Sequence, residues 1–139
     1  MKKLLTLALL LVSFSLLSSE DTTKFYTVRN YIFPNLNTQD IYNFCLEWIC
    51  EEQANDIELK ACNDESAKLF FYTFYKSQES NDDKIDILVE LIIEGNNIEI
   101  NFNSEIDNQY SISNQEIEFN MYCSLFSKKL YNKIFMGSL

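Results

Sequence analysis

Apolar residues recur along this chain with two different spacings, which predict strands and helices in turn. Five segments alternate with a period of two or are rich in β-branched and aromatic residues: Lys24–Phe33, Asp56–Ala61, Lys68–Lys76, Ile85–Glu94 and Ile98–Asn103. Helical spacing marks residues 39–53, with Trp48 on the apolar face, and residues 115–135. The order β-α-β-β-β-β-α predicts an α+β domain in which a single antiparallel sheet of about five strands carries two helices on one face.

The boundaries of these elements are marked by residues that favour caps and turns. Asn37 or Thr38 is placed to cap the first helix, and Gly95 to Asn97 form the turn between the last two strands. The last segment also alternates with a period of two from Ile117 to Leu125. We interpret it as a helix, because Ser113 and Glu116 have capping-box spacing and the pattern is longer than an average strand.

The N-terminus has the pattern of a secretory signal peptide. Lys2 and Lys3 precede an apolar run from Leu4 to Leu17, and the small residues Ser18 and Ser19 follow it. This run is shorter than the roughly 20 residues that a membrane-spanning helix needs. We therefore expect residues 1–19 to be removed, residues 20–139 to form one α+β domain, and the product to be secreted or periplasmic without a transmembrane anchor.

Composition excludes several functional classes. The chain of 139 residues has no histidine and two glycines, which argues against histidine-dependent catalytic sites and glycine-rich phosphate loops. Its 21 acidic residues face 11 basic ones, two of which lie in the predicted signal peptide. Nucleic-acid binders gain affinity by neutralising phosphates, so we expect no nucleic-acid partner. The sequence indicates no cofactor and no catalytic residue.

A resemblance follows from the segment Pro34–Glu51 (PNLNTQDIYNFCLEWICE). This segment resembles a family of small secreted bacterial domains of unknown function with a TATA-binding-protein-like fold. In that family a turn is followed by an acidic residue, a tyrosine and a tryptophan at the spacing of Asp40, Tyr42 and Trp48, and paired hairpins come after them. The short turn at Gly95 also fits this family. The family's frequent basic residue after that turn is missing, with Glu99 nearby instead. The resemblance implies a fold and a cell-envelope location but no reaction.

Four cysteines allow three complete pairings in an oxidising compartment. Cys45 and Cys123 lie on the apolar stripes of their helices, whereas Cys50 and Cys62 flank the connection from helix to strand. We predict disulfides between Cys45 and Cys123 and between Cys50 and Cys62, with buried free thiols as the alternative. No close pair of the CxxC kind supports a metal site, so we predict none.

The candidate binding surface is the sheet face that the helices leave open. Ile85–Glu94 has one wholly aliphatic face, while its other face mixes Leu88 and Ile92 with acidic residues. Placing Arg29 in the core would bury an unpaired charge, which assigns the first strand's alternate set to the open face. The predicted surface comprises these residues: Arg29, Tyr31, Leu88, Glu90, Ile92 and Glu99. An apolar patch with a polar rim suggests contact with a protein partner or with a second copy of the chain.

Two other functions remain open at this stage. A helix on a curved sheet is also the architecture of cystatin-type protease inhibitors, although their QxVxG signature is absent. A hydrolase that uses paired carboxylates would need Glu90 or Glu94 to lie opposite Glu99 in an enclosed cleft. We interpret the chain as a binding module rather than an enzyme.

Overall fold

The structure is a computed structural model that describes residues 22–52, 57–78, 83–107 and 112–139. The predicted signal peptide lies outside these residues. The described elements follow in the predicted order: β1 (Thr22–Ile32), α1 (Thr38–Glu52), β2 (Glu58–Asn63), β3 (Lys68–Lys76), β4 (Lys84–Glu94), β5 (Asn97–Asp107) and α2 (Ile112–Gly137). The α+β class and the helical interpretation of the last segment are confirmed.

The five strands form one antiparallel sheet in the order β1-β5-β4-β3-β2. Consecutive hairpins place β2 to β5 side by side. The last strand, β5, then pairs with the first strand, β1, along the whole length of β1 without a register shift. Both helices cover the same face, because α1 contacts β4 and α2 contacts β1 and β5. The opposite face of the sheet has no helix on it in the described part of the chain.

Aliphatic side chains on the helix side of the sheet form the core. In β4 the residues Ile85, Ile87, Val89, Leu91 and Ile93 are all buried, which is the alternation that the sequence predicts. The stripe of α2 faces them, and Phe119, Cys123, Phe126, Leu130 and Ile134 are likewise buried. Because every second residue of a strand points to one side, this set leaves the even-numbered residues of β4 on the opposite face.

The ring of Phe126 joins the two helices to the sheet. It lies 5.0 Å from the ring of Trp48 on α1, measured between centroids, and 5.7 and 5.6 Å from the rings of Phe71 and Phe102 on the sheet. Trp48 is 7% exposed, so its predicted burial is confirmed. The ring that Trp48 contacts, Phe126, lies on α2.

Hydrogen bonds fix where α1 begins and how it sits against the sheet. The side-chain oxygen of Asn37 accepts a hydrogen bond of 2.8 Å from the backbone N–H of Asp40, which is the N-cap geometry predicted for this residue. The hydroxyl of Thr38 donates to the carbonyl of Gly95, 2.9 Å away. Gly95 has a φ of 61°, a left-handed conformation that favours glycine. The start of α1 is thereby tied to the turn between β4 and β5.

The C-terminal half of α2 contacts α1 through an ion pair and through close packing. The ammonium of Lys133 on α2 donates to both carboxylate oxygens of Glu51 on α1, at 3.1 and 3.2 Å. This hydrogen bond raises the pKa of Lys133. A side chain at Gly137 would come within 2.5 Å of the ring of Phe44. The absence of a side chain at this position allows the last turn of α2 to pack directly on α1.

The predicted disulfides are not formed, and all four cysteines are free thiols. Cys62 lies beside Tyr42, since its sulfur interacts with the phenol. Cys50 follows Tyr42 by eight residues and is therefore roughly 12 Å further along the axis of α1, where it is exposed. Cys45 and Cys123 are buried in the core without bonding to each other. The prediction treated position on a helix stripe as proximity, and the two stripes bury these sulfurs separately.

Candidate functional site

The face of the sheet without helices, called the open face below, contains four of the six predicted site residues. It consists of the even-numbered residues of β1, β3 and β4 and the odd-numbered residues of β5. Ile92 lies opposite Glu99, while Leu88 and Glu90 lie opposite Asn103 and Asn101. The four predicted residues Leu88, Glu90, Ile92 and Glu99 are half-buried, as expected for side chains that lie against one another on an uncovered sheet.

Arg29 and Tyr31 lie on the other face, and their predicted placement was wrong. Arg29 pairs with Ile100 and Tyr31 with Ile98, and both isoleucines are fully buried beneath the helices. Because β1 is an edge strand, Arg29 reaches the rim of the core, where its guanidinium donates a hydrogen bond of 3.1 Å to the hydroxyl of Ser124 on α2. The edge position lets the guanidinium reach this partner, although its Nε is buried without a hydrogen-bond partner among the described residues, so the penalty on which the prediction depended did not keep Arg29 off the helix side.

Aromatic residues on β3 form the most apolar row of the open face, and the sequence reasoning did not assign them to it. Along β3 this row reads Lys68, Phe70, Tyr72, Phe74 and Lys76. The intervening residues Leu69, Phe71, Thr73 and Tyr75 are buried on the helix side. Since β3 is apolar on both sides, it lacks the alternation that marks a face. The signal that could have found the row is this absence of polar residues at alternate positions.

Lysines frame the aromatic row. The ammonium of Lys84 lies 4.4 Å from the centroid of the Phe74 ring, and that of Lys60 lies 5.5 Å from the centroid of the Tyr72 ring. Cation–π contacts at exposed sites contribute about 0.5–1 kcal/mol each. Lys60 also forms an ion pair with Glu58. These contacts hold the lysine side chains against the rings, so the row has a lysine on each side, Lys60 of β2 on one and Lys84 of β4 on the other.

The border on the side of β1 and β5 is acidic and polar. The amide of Asn101 donates a hydrogen bond of 2.9 Å to Glu99, and its oxygen accepts one of 3.0 Å from the hydroxyl of Tyr26. Tyr26 is 62% exposed and covers Asn101, which is 5% exposed. This network fixes the orientation of Glu99 at the margin of the apolar row.

The register does not bring two of the open-face carboxylates directly opposite each other. Glu99 faces Ile92, and Glu90 and Glu94 are the residues two positions either side of Ile92 on the same strand. Such diagonal neighbours lie roughly 7–8 Å apart, and here they lie on an uncovered sheet. Within the described ranges no three acidic, cysteine or histidine residues form a cluster that could hold a metal ion. The arrangement has the form of a contact surface.

Surface cavities border α2 on the helix side of the sheet. One, of about 480 Å³, is bordered by Tyr75 at the end of β3 and by Ile117, Met121 and Tyr122 of α2. Another of about 480 Å³ lies along the outer side of α2, and one of about 180 Å³ lies beside Trp48 and Phe126. The buried amide of Gln115 donates a hydrogen bond of 2.9 Å to the hydroxyl of Ser77 and accepts one of 3.3 Å from the hydroxyl of Tyr75. Burial raises the pKa of Tyr75.

Comparison with known proteins supports the fold. No known family profile matches the sequence, and no curated protein matches it. A TBP-like protein from Parabacteroides distasonis ATCC 8503 superposes with a TM-score of 0.52 and 13% identity over 83% of this chain and 92% of its own. A DUF4468 family protein from Bacteroides ovatus ATCC 8483 gives a TM-score of 0.51 and 8% identity over 81% and 85%. The protein Ara h 8.0201 gives a TM-score of 0.55 and 8% identity over 81% and 95%.

These similarities show the arrangement of elements and leave the ligand unassigned. The chain has the TBP-like fold of small bacterial domains of unknown function, as the segment around Trp48 indicated. Of the helices in the described residues, none combines the length and apolar character needed to cross a membrane. The open face is therefore assessed below on its own residues.

Proposed function

We propose that this protein is an exported, non-enzymatic binding module that contacts a protein partner through its open face. The observation that carries the proposal is the aromatic row Phe70, Tyr72 and Phe74 on an uncovered strand, next to Leu88 and Ile92 of β4. An uncovered face of an antiparallel sheet normally carries polar residues at these positions. Here two neighbouring strands carry aromatic and aliphatic side chains instead.

The composition of this surface suits a protein partner. Aromatic residues are enriched in the central part of protein interfaces, where they supply most of the binding energy, and polar residues surround them. Lys60 borders the row on the side of β2, while Lys84, Glu90 and Glu99 lie on the side of β4 and β5. A surface with both signs of charge fits a partner with both signs. The net charge of −10 opposes an anionic polymer such as nucleic acid.

A photo-crosslinking experiment in the producing cell tests the surface. A photoreactive amino acid in place of Tyr72, which is 39% exposed, should give an adduct with a partner protein. The double change Leu88→Ser and Ile92→Ser should remove this adduct while the circular dichroism spectrum is retained. Both side chains lie on the uncovered face, so their replacement leaves the core intact.

A matched control distinguishes the surface from general loss of apolar area. The change Met136→Ser alters an exposed side chain near the end of α2, with Met136 66% exposed, and should leave the Tyr72 adduct unchanged. An adduct that persists in the Leu88 and Ile92 double variant would refute the proposed surface. Unfolding of that variant would show that the supposed open face is part of the core.

The proposal includes export, which is supported by Lys2, Lys3 and the apolar run from Leu4 to Leu17. N-terminal sequencing of the protein recovered outside the cytoplasm should begin between Leu16 and Asp21. Recovery of chains with Met1 intact from the membrane fraction would contradict it.

A further inference from the structure

The outer side of α2 is the most apolar exposed surface in the part of the chain that the structure describes. Six of the ten large hydrophobic residues that are exposed there belong to this single helix. Three of them, Ile117, Met121 and Leu125, are 58%, 60% and 58% exposed and follow one another at intervals of four residues. They form a continuous stripe roughly 12 Å long, called the outer stripe below.

The outer stripe lines a surface cavity and is not simply exposed on a flat surface. The cavity of about 480 Å³ lies against all three residues and has the rings of Tyr75 and Tyr122 on its other wall. Single exposed apolar side chains are normal on a protein surface, but a row of them along a cavity indicates a docking site. A helix laid along such a groove would contact it through side chains three and four positions apart.

The charges on α2 show which helix fits. Both of its acidic residues, Glu116 and Glu118, lie in the first two turns, and its three lysines, Lys128, Lys129 and Lys133, all lie in the second half. Lys133 is engaged with Glu51 of α1, whereas Lys128 and Lys129 are exposed. A second α2 that runs in the opposite direction would place its lysines beside Glu118 and its Glu118 beside the lysines of the first.

The same antiparallel arrangement matches the apolar residues. When Glu118 lies beside Lys128 of the second copy, Met121 lies beside Leu125 of the second copy. The reason is that two antiparallel helices run in opposite directions, so a step of three residues forward along one helix is matched by a step of three residues backward along the other. A parallel arrangement would instead bring lysines next to lysines. Methionine adapts its shape to irregular gaps, which suits insertion of Met121 into the cavity of the other copy.

We propose that two copies of this chain associate through an antiparallel pair of α2 helices, with the outer stripe of each copy filling the groove of the other. This inference is independent of the proposed function, because the open face lies on the opposite side of the sheet and stays accessible. A dimer of this form presents two open faces and would bind a repeated partner with increased avidity.

Sedimentation equilibrium of the full chain over a range of protein concentrations tests the dimer. The wild-type protein should reach twice the monomer mass. The double variant Met121→Lys and Leu125→Lys should remain monomeric and keep its circular dichroism spectrum, since both side chains are exposed. The open-face variant Leu88→Ser and Ile92→Ser should dimerise as the wild type does. A wild-type protein that is monomeric at every concentration would overturn the proposal, as would a dimer that survives the α2 substitutions.

The antiparallel direction has its own test. The change Lys128→Glu with Lys129→Glu should weaken dimerisation at low salt by about tenfold or more, and about 1 M salt should reduce the difference. The matched control Lys24→Glu with Lys68→Glu makes the same change in net charge on the open face and should have little effect. Equal dissociation constants for the two charge variants would refute the antiparallel pairing of charges. If only the open-face variants lose the dimer, the two copies associate through the open face and the proposed pairing of α2 helices is wrong.

Discussion

Replacement of Phe126 by alanine should be among the most destabilising single changes in this protein. Its ring lies 5.0 to 6.2 Å from four other rings, those of Trp48, Phe71, Phe102 and Tyr122, measured between centroids. The side chain is 5% exposed. A buried Phe→Ala change usually costs 3–5 kcal/mol, and each aromatic pair adds about 0.5–1.5 kcal/mol beyond its buried area. We expect a loss of about 5 kcal/mol in the free energy of unfolding.

Urea unfolding measures this loss, and the protein contains its own probe. Trp48 is the only tryptophan and meets the Phe126 ring edge to face, so its fluorescence reports on this contact directly. The matched control is Phe135→Ala on the same helix. Phe135 is 45% exposed and stacks on a single ring, that of Tyr131 at 6.0 Å, so its loss should cost about 1–2 kcal/mol, well below the cost at Phe126.

A double-mutant cycle separates the ring contact from general loss of packing. The coupling energy between Trp48→Ala and Phe126→Ala should be about 0.5–1.5 kcal/mol. A loss below about 2 kcal/mol for Phe126→Ala, or strict additivity of the two changes, would refute the position of this ring between the two helices and the sheet.

Three further predictions concern the thiols and the start of α1. Alkylation of the native protein should modify Cys50 and Cys62, which are exposed, and leave the buried Cys45 and Cys123 unmodified until urea is added. Mass spectrometry should therefore count two modified thiols before denaturation and four afterwards. An intact mass that corresponds to disulfide-bonded protein would contradict this prediction. Burial raises the pKa of Cys123 to about 12 from an ordinary 9.0 and also raises that of Cys45, so their contribution to stability is complete below about pH 9. Above it each thiol should lower the free energy of unfolding by about 1.4 kcal/mol per pH unit, up to the folded pKa, because only the unfolded chain releases the proton; equal urea midpoints at pH 8 and pH 10.5 would be inconsistent with this burial. Asn37→Ala should lower the free energy of unfolding by about 1 kcal/mol through loss of the N-cap. Thermal unfolding measures this loss, with Asn43→Ala as an exposed control within the helix. Equal effects of the two changes would argue against the cap.

Local sequence determined the elements of this protein because each element has a strong period of its own. The strand β3 begins and ends at the predicted residues Lys68 and Lys76, and the predicted cap at Asn37 is observed. In α2 the predicted stripe from Phe119 to Ile134 is buried. The described part of this helix begins at Ile112, next to the predicted cap at Ser113.

Tertiary structure alone decided which chemistry is exposed. The side of β1 that carries Arg29 and Tyr31 depends on its register with β5, and a one-residue change in register would exchange the two faces. The sequence of β3 does not show which residues form the exposed row, because a strand that is apolar on both sides lacks the alternation that distinguishes its two faces. The separation of Cys50 from Cys62 depends on where β2 passes along α1. These features arise from contacts between residues far apart in the chain, whereas periodicity reports only on neighbours in sequence.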